Sequence, residues 1–92
     1  MKNNTLNESL LEFPCSFPIK IMGFNHPDLL PAVTTIVTTH YSQLNVDSDI
    51  NIKLSTKGNY LSITVTIIAT SKAQLDAIYL ELNKHYLVKV TL

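Results

Sequence analysis

Ser55–Ala69 reads STKGNYLSITVTIIA, and its alternation decides the fold. Leu61, Ile63, Val65 and Ile67 fall on one side of an extended chain, and Tyr60, Ser62, Thr64 and Thr66 on the other. This pattern predicts a long strand with one buried and one wet face. Gly58 stands where a short hairpin loop needs a positive φ, so the run is the second arm of a hairpin. The first arm is the shorter alternation of Ile50, Ile52 and Leu54 with Asn51, Lys53 and Ser55.

Upstream, Phe17–Gly23 alternates again, with Phe17, Ile19 and Ile21 opposed to Lys20 and Met22. Pro14 and Pro18 argue against a regular strand before Phe17. A helical spacing follows at Leu29, Leu30, Val33, Ile36, Val37 and Tyr41. Asp28 is the N-cap candidate, because it places Pro31 at the third helical position, where the missing N–H breaks no intrahelical bond. Thr34, Thr35, Thr38 and Thr39 are weak helix formers, so packing must hold this helix. Gln43–Asp49 is polar and reads as a loop.

Downstream, Ser71 caps a second helix whose apolar stripe is Leu75, Ile78, Tyr79 and Leu82. Leu87–Leu92 closes as a strand, with Val88, Val90 and Leu92 expected on one face and Lys89 and Thr91 on the other. The order β-α-β-β-α-β predicts an α+β ferredoxin-like sandwich, sheet order 4-1-3-2, with both helices on one face. The open face then collects Lys20, Met22, Lys53, Ser62, Thr64 and Lys89. Residues 1–16 read as an N-terminal arm, partly mobile, with Leu6–Glu12 laid against the body as a helical turn or extended segment. Residues 17–92 read as one domain.

Ninety-two residues suffice for a single core and leave little room for a large enclosed pocket. Seven lysines balance seven acids and there is no arginine. Without the guanidinium fork that grips phosphate or guanine with two bonds, nucleic acid is disfavoured as a partner. The lone Cys15 excludes an intrachain disulfide and a multi-cysteine metal site. The N-terminus lacks the apolar core of a signal peptide, and no window approaches the ~18 apolar residues of a membrane span. A cytoplasmic protein with no membrane contact is expected.

If the first strand runs up, the upper end gathers the loop after it, the hairpin turn and the loop after the second helix. That places Asn25, His26, Asp28, Lys57, Gly58, Asn59, Lys84 and His85 around the start of the first helix. Helix N–H groups and a nearby lysine favour an anion, so a small anionic ligand is one expectation for this end. Turn chemistry alone also accounts for Lys57, Gly58 and Asn59. His40 and His85 close the two helices, where a protonated ring suits the dipole. No acid pair, nucleophile context or glycine-rich phosphate loop is present, so no catalytic residues, metal or cofactor are expected. The Lys20, Met22, Ser62, Thr64 and Lys89 face is a candidate protein-interaction surface. Tyr60 is the one base-stacking candidate read there, too few for an RNA platform. The two edge strands leave room for a homodimer.

LLEFP at Leu10–Pro14, KIMG at Lys20–Gly23 and SxKGNYxSxxxTI at Ser55–Ile67 resemble the YbeD-like family of small bacterial proteins. The resemblance covers nearly the whole chain. It implies a ferredoxin-like fold akin to the ACT domains that sense amino acids, and a cytosolic regulatory or ligand-sensing module. It implies no catalytic residues, because the family has no established reaction.

Overall fold

Strand β3 (Tyr60–Ala69) lies inside the sheet and has the longest contact with its neighbours, as its alternation requires. The computed structural model describes residues 11–92. Its other elements are β1 (Cys15–Phe24), α1 (Leu29–His40), a single turn α2 (Val46–Asp49), β2 (Ile50–Leu54), α3 (Lys72–Lys84) and β4 (Val88–Thr91). The sheet order is β2-β3-β1-β4, all pairs antiparallel, which is the expected order read from the other edge. Ile63, Val65 and Ile67 of β3 join Ile19 and Ile21 of β1 against Leu29, Val33 and Val37 of α1 and Leu75, Ile78 and Leu82 of α3. Each such fully buried side chain contributes roughly 1.5–3 kcal/mol through removal from water.

The helices form for the reasons their sequences give. Ser71 caps α3 by accepting the Gln74 N–H at 3.0 Å. In α1 the weak threonines turn inward on the backbone. Thr38 Oγ1 donates to Thr34 O at 2.8 Å, and Thr39 Oγ1 donates to Thr35 O at 2.8 Å. Gln74 and Glu81 of α3 then hold the end of α1: Gln74 Nε2 donates to His40 O at 3.0 Å, and the His40 Nε2 and Glu81 Oε2 atoms are 2.5 Å apart.

Four expectations are corrected. Residues 46–49, expected as loop, form a helical turn, because Asn45 Oδ1 accepts the Asp47 and Ser48 N–H groups while Asp49 accepts the Asn45 N–H. Strand β1 begins at Cys15 rather than Phe17. Pro18 is tolerated because even positions of β1 direct their N–H toward β4, whose last pairing is Lys20 with Leu92, so the proline removes no ladder bond. Strand β1 also runs one residue further, to Phe24, opposite Tyr60. Finally, β4 is not a simple alternation. Met22 faces Val90 while Gly23 faces Val88, leaving Lys89 as the extra residue of a bulge. Val88 therefore packs on the core and Thr91 turns to the helix layer, where its hydroxyl meets Asn83 at 3.1 Å. Val90 and Leu92 move to the open face, joining Lys89, which lies over the Phe24 ring at 5.9 Å. Of the expected arm over residues 1–16, residues 1–10 lie outside the described residues, and Cys15 and Ser16 belong to β1.

Candidate functional site

The three loops expected at the upper end meet there. Asn25 makes the junction: its backbone N–H donates to Asn59 O at 3.0 Å and its Nδ2 donates to Gly58 O at 2.8 Å. Gly58 has φ +80°, the left-handed conformation its hairpin position needs. The loop after α3 joins through Phe24 N–H, which donates to Leu87 O at 2.9 Å.

Much of the donor capacity at this end is spent on the fold. Asp28 sits at the N-cap position with a helical backbone, but its side chain caps nothing. His26 does that work. Its Nδ1 accepts the Asp28 N–H at 3.0 Å and its carbonyl accepts the Leu29 N–H at 3.0 Å. Pro31 has no N–H, so Leu30 alone among the first three helical residues retains a backbone donor. Lys57 stands at the exposed tip of the turn. His85 ends α3 through its N–H to Leu82 O, yet its Nδ1 accepts the Leu87 N–H at 3.2 Å and its ring stacks on Tyr86. That use of the ring nitrogen's lone pair differs from the cationic dipole partner expected. His40 likewise turns to Glu81 and not to the carbonyls of its own helix.

The open sheet face is chemically more distinctive. Lys20, Lys53 and Lys89 all lie on it, and none of the four strands contains an acid. Among these lysines stand Met22, 40% exposed, and Phe24, 42% exposed. Phe24 and Tyr60 form a cross-strand pair with ring centroids 5.6 Å apart and planes tilted by 35°. Beside them an open depression of about 260 Å³ is lined by Met22, Lys53, Thr56, Tyr60 and Ser62. Ser62 and Thr64 supply the polar floor opposite Met22 and Lys20. Sequence reasoning missed Phe24 because it ended β1 at Gly23. Continuing the Lys20, Met22 alternation by one step would have found it. No comparable signal marks Val90, whose position depends on the bulge.

Among the described residues, no three His, Cys, Asp or Glu side chains converge as metal ligands, and no helix is long and apolar enough to cross a membrane.

Fold and surface together define a small α+β sandwich of the ferredoxin-like class, with one sheet face left open. The chain belongs to the family described as "Protein of unknown function (DUF493)", which matches residues 8–92, and the YbeD-like resemblance of its sequence blocks holds. It is 46% identical over 89 residues to a UPF0250 protein of Paraburkholderia phytofirmans, covering 97% of this chain and 99% of the relative. A UPF0250 protein of Chromobacterium violaceum is 42% identical over 85 residues, 92% of this chain and 94% of that one. One from Leptothrix cholodnii is 41% identical across the full length of both chains. The solution structure of protein HP0495 from H. pylori shares the fold at a TM-score of 0.68 and 14% identity, covering 89% of this chain and 85% of that one.

Proposed function

We propose that this protein is a non-enzymatic binding module that takes a protein partner on its open sheet face. The observation that carries the reading is the segregation of charge: three lysines and no acid on the strands, set around exposed Met22 and Phe24. An apolar patch with a rim of one charge suits a segment carrying an apolar anchor between acidic residues. The depression of about 260 Å³ falls below the ~300–1,000 Å³ usual for small-molecule sites and suits a single side chain. Nucleic acid fits less well. Lys89 covers the Phe24 ring, and no arginine is present to grip phosphate.

A second reading, regulatory sensing of a small anionic ligand in the manner of ACT domains, draws support from the Asn25 tie, which holds the first loop and the Lys57 turn together. The donors already taken by His26 weigh against it.

The test is affinity capture with cross-linking from a bacterial lysate, comparing the wild type with Lys20→Glu, Phe24→Ser and a helix-face control, Asp76→Lys. A partner retained by the control and lost from both face variants is expected. Equal recovery by all four proteins rejects the face. A melting-point rise with amino acids or small anions, abolished by Lys57→Ala and His26→Ala, would favour the second reading instead.

A further inference from the structure

Among the described residues, no strand pairs with the outer edge of β2. Ser55 N–H donates to Tyr60 O, and the alternation of an antiparallel ladder makes Asn51 and Lys53 the other residues bonded to β3. The N–H and C=O groups of Ile50, Ile52 and Leu54 therefore point away from the sheet. Their side chains sit on the helix side, opposite Val65, Ile63 and Leu61, with Ile50 packed against the core. Ile52 is left 45% exposed and Leu54 56% exposed. The opposite edge is protected by the bulge in β4. Strand β2 has no bulge, no proline and no charge on its helix side. Such an edge is a template for another strand.

We propose that the occupant is a second copy of this chain, paired antiparallel along β2 about a two-fold axis at Ile52. The sequence INIKL is self-complementary in that arrangement. Ile50 pairs with the partner's Leu54, Asn51 with the partner's Lys53, and Ile52 with the partner's Ile52. All five residues of both strands are used, the outward backbone groups bond one another, and the uncovered apolar side chains of the two copies meet on the helix side. Shifting the register one way sets Lys53 against the partner's Lys53. Shifting it the other way sets Asn51 against itself and leaves Lys53 and Leu54 outside the pairing. Charge and length thus select one register. The result is a continuous eight-stranded sheet whose open face extends across both copies, and the pairing does not depend on what that face binds.

One edge strand per copy makes a small interface, so the dimer is of the weak, dilution-sensitive class. Sedimentation equilibrium of the full chain from low micromolar to near-millimolar concentration measures it. Wild type is expected to pass from monomer to dimer across that range. Asn51→Asp creates two Asp–Lys cross-strand pairs in the proposed register and none in the shifted ones, and should tighten association by about two- to thirtyfold. Ile52→Pro removes an outward N–H that bonds nothing among the described residues and should leave a monomer with a native circular dichroism spectrum. If that variant fails to fold, Ile52→Lys at the same exposed position takes its place, setting two lysines together on the axis. Monomeric wild type and Asn51→Asp at the highest concentration would overturn the proposal. So would a dimer that persists in the folded Ile52 variant, or weakening by Asn51→Asp.

Discussion

Replacing Gly23 with alanine tests a close backbone approach beside the β4 bulge. A Cβ at that position meets Leu87 O at 2.6 Å and the two Leu29 methyl carbons at 2.7 and 2.8 Å. The Leu29 side chain is fully buried under the sheet, so it cannot swing out into solvent. Leu87 O is backbone, and it already accepts the Phe24 N–H. Restoring an ordinary contact of 3.4 Å requires β4 to move off β1 at the bulge. Overpacking of this kind costs about 1–3 kcal/mol, and the rigid carbonyl puts Gly23→Ala in the upper half of that range. For a domain of this size each kcal/mol lowers Tm by about 4–8 °C, so a loss of about 2 kcal/mol gives a fall of roughly 8–16 °C. Gly58→Ala is the control with a different cause. Nothing lies within 4 Å of its Cβ, and its only penalty is the φ of +80°, worth about 1–2 kcal/mol. Urea titration followed by circular dichroism compares the two variants. If Gly23→Ala proves as stable as wild type, or Gly58→Ala is the more damaging of the pair, the packing argument at the bulge fails.

Three further outcomes follow from contacts elsewhere. His40→Ala, which removes the side-chain link from α1 to Glu81, should cost about 1 kcal/mol in the same titration, and Gln74→Ala a similar amount for its bond to His40 O. Asn25→Ala removes the Nδ2 bond to Gly58 O and should cost about 0.5–1.5 kcal/mol, with hydrogen exchange accelerating in the 56–59 turn before the rest of the sheet. Burial raises the Tyr79 pKa above its usual 10.0, while its hydroxyl donates to Leu92 O at 3.0 Å. The unfolded chain then loses this proton first, so stability falls as pH rises past about 10, until the folded-state value is passed. Tyr79→Phe should show a shallower alkaline decline than wild type in melting curves.

The elements that were legible share one property: their pattern is local. The alternation of Leu61, Ile63, Val65 and Ile67 needed a buried face, and the structure buries Ile63, Val65 and Ile67. The spacing of Leu75, Ile78 and Leu82, with Ser71 before it, gave α3 and its cap. What escaped depends on neighbours distant in sequence. Pro18 is admissible within a strand only because β4 pairs no further along than Lys20. The bulge at Lys89 follows from how β4 meets Met22 and Gly23, and alternation within VKVT cannot reveal it. His26 displaced Asp28 as the capping group through a side-chain rotamer, though both residues were already placed at the helix start. At the upper end, sequence brought the right loops together. It did not foresee that the Asn25 and His26 side chains are bonded to backbone groups of Gly58 and Asp28, which changes what that end offers a ligand.

The same bulge shapes the proposed binding face. Had β4 alternated without interruption from Val88 on the core, Val90 and Leu92 would have shared that side, and the open face would have lost their apolar area. The extra residue instead puts Lys89 beside Val90 and lays its ammonium over Phe24. The face is therefore mixed rather than purely cationic: Met22, Phe24 and Val90 offer apolar area, while Lys20, Lys53 and Lys89 fix which neighbours that area accepts. Salt separates these contributions. Exposed charges are screened beyond about 3 Å at 1 M ionic strength, whereas apolar burial is not weakened by that screening. A partner anchored on Phe24 should accordingly lose association rate and selectivity in high salt while retaining measurable affinity, and Phe24→Ser should remove what the salt leaves. A complex abolished by salt alone would mean that the lysines, and not the aromatic patch, hold the partner.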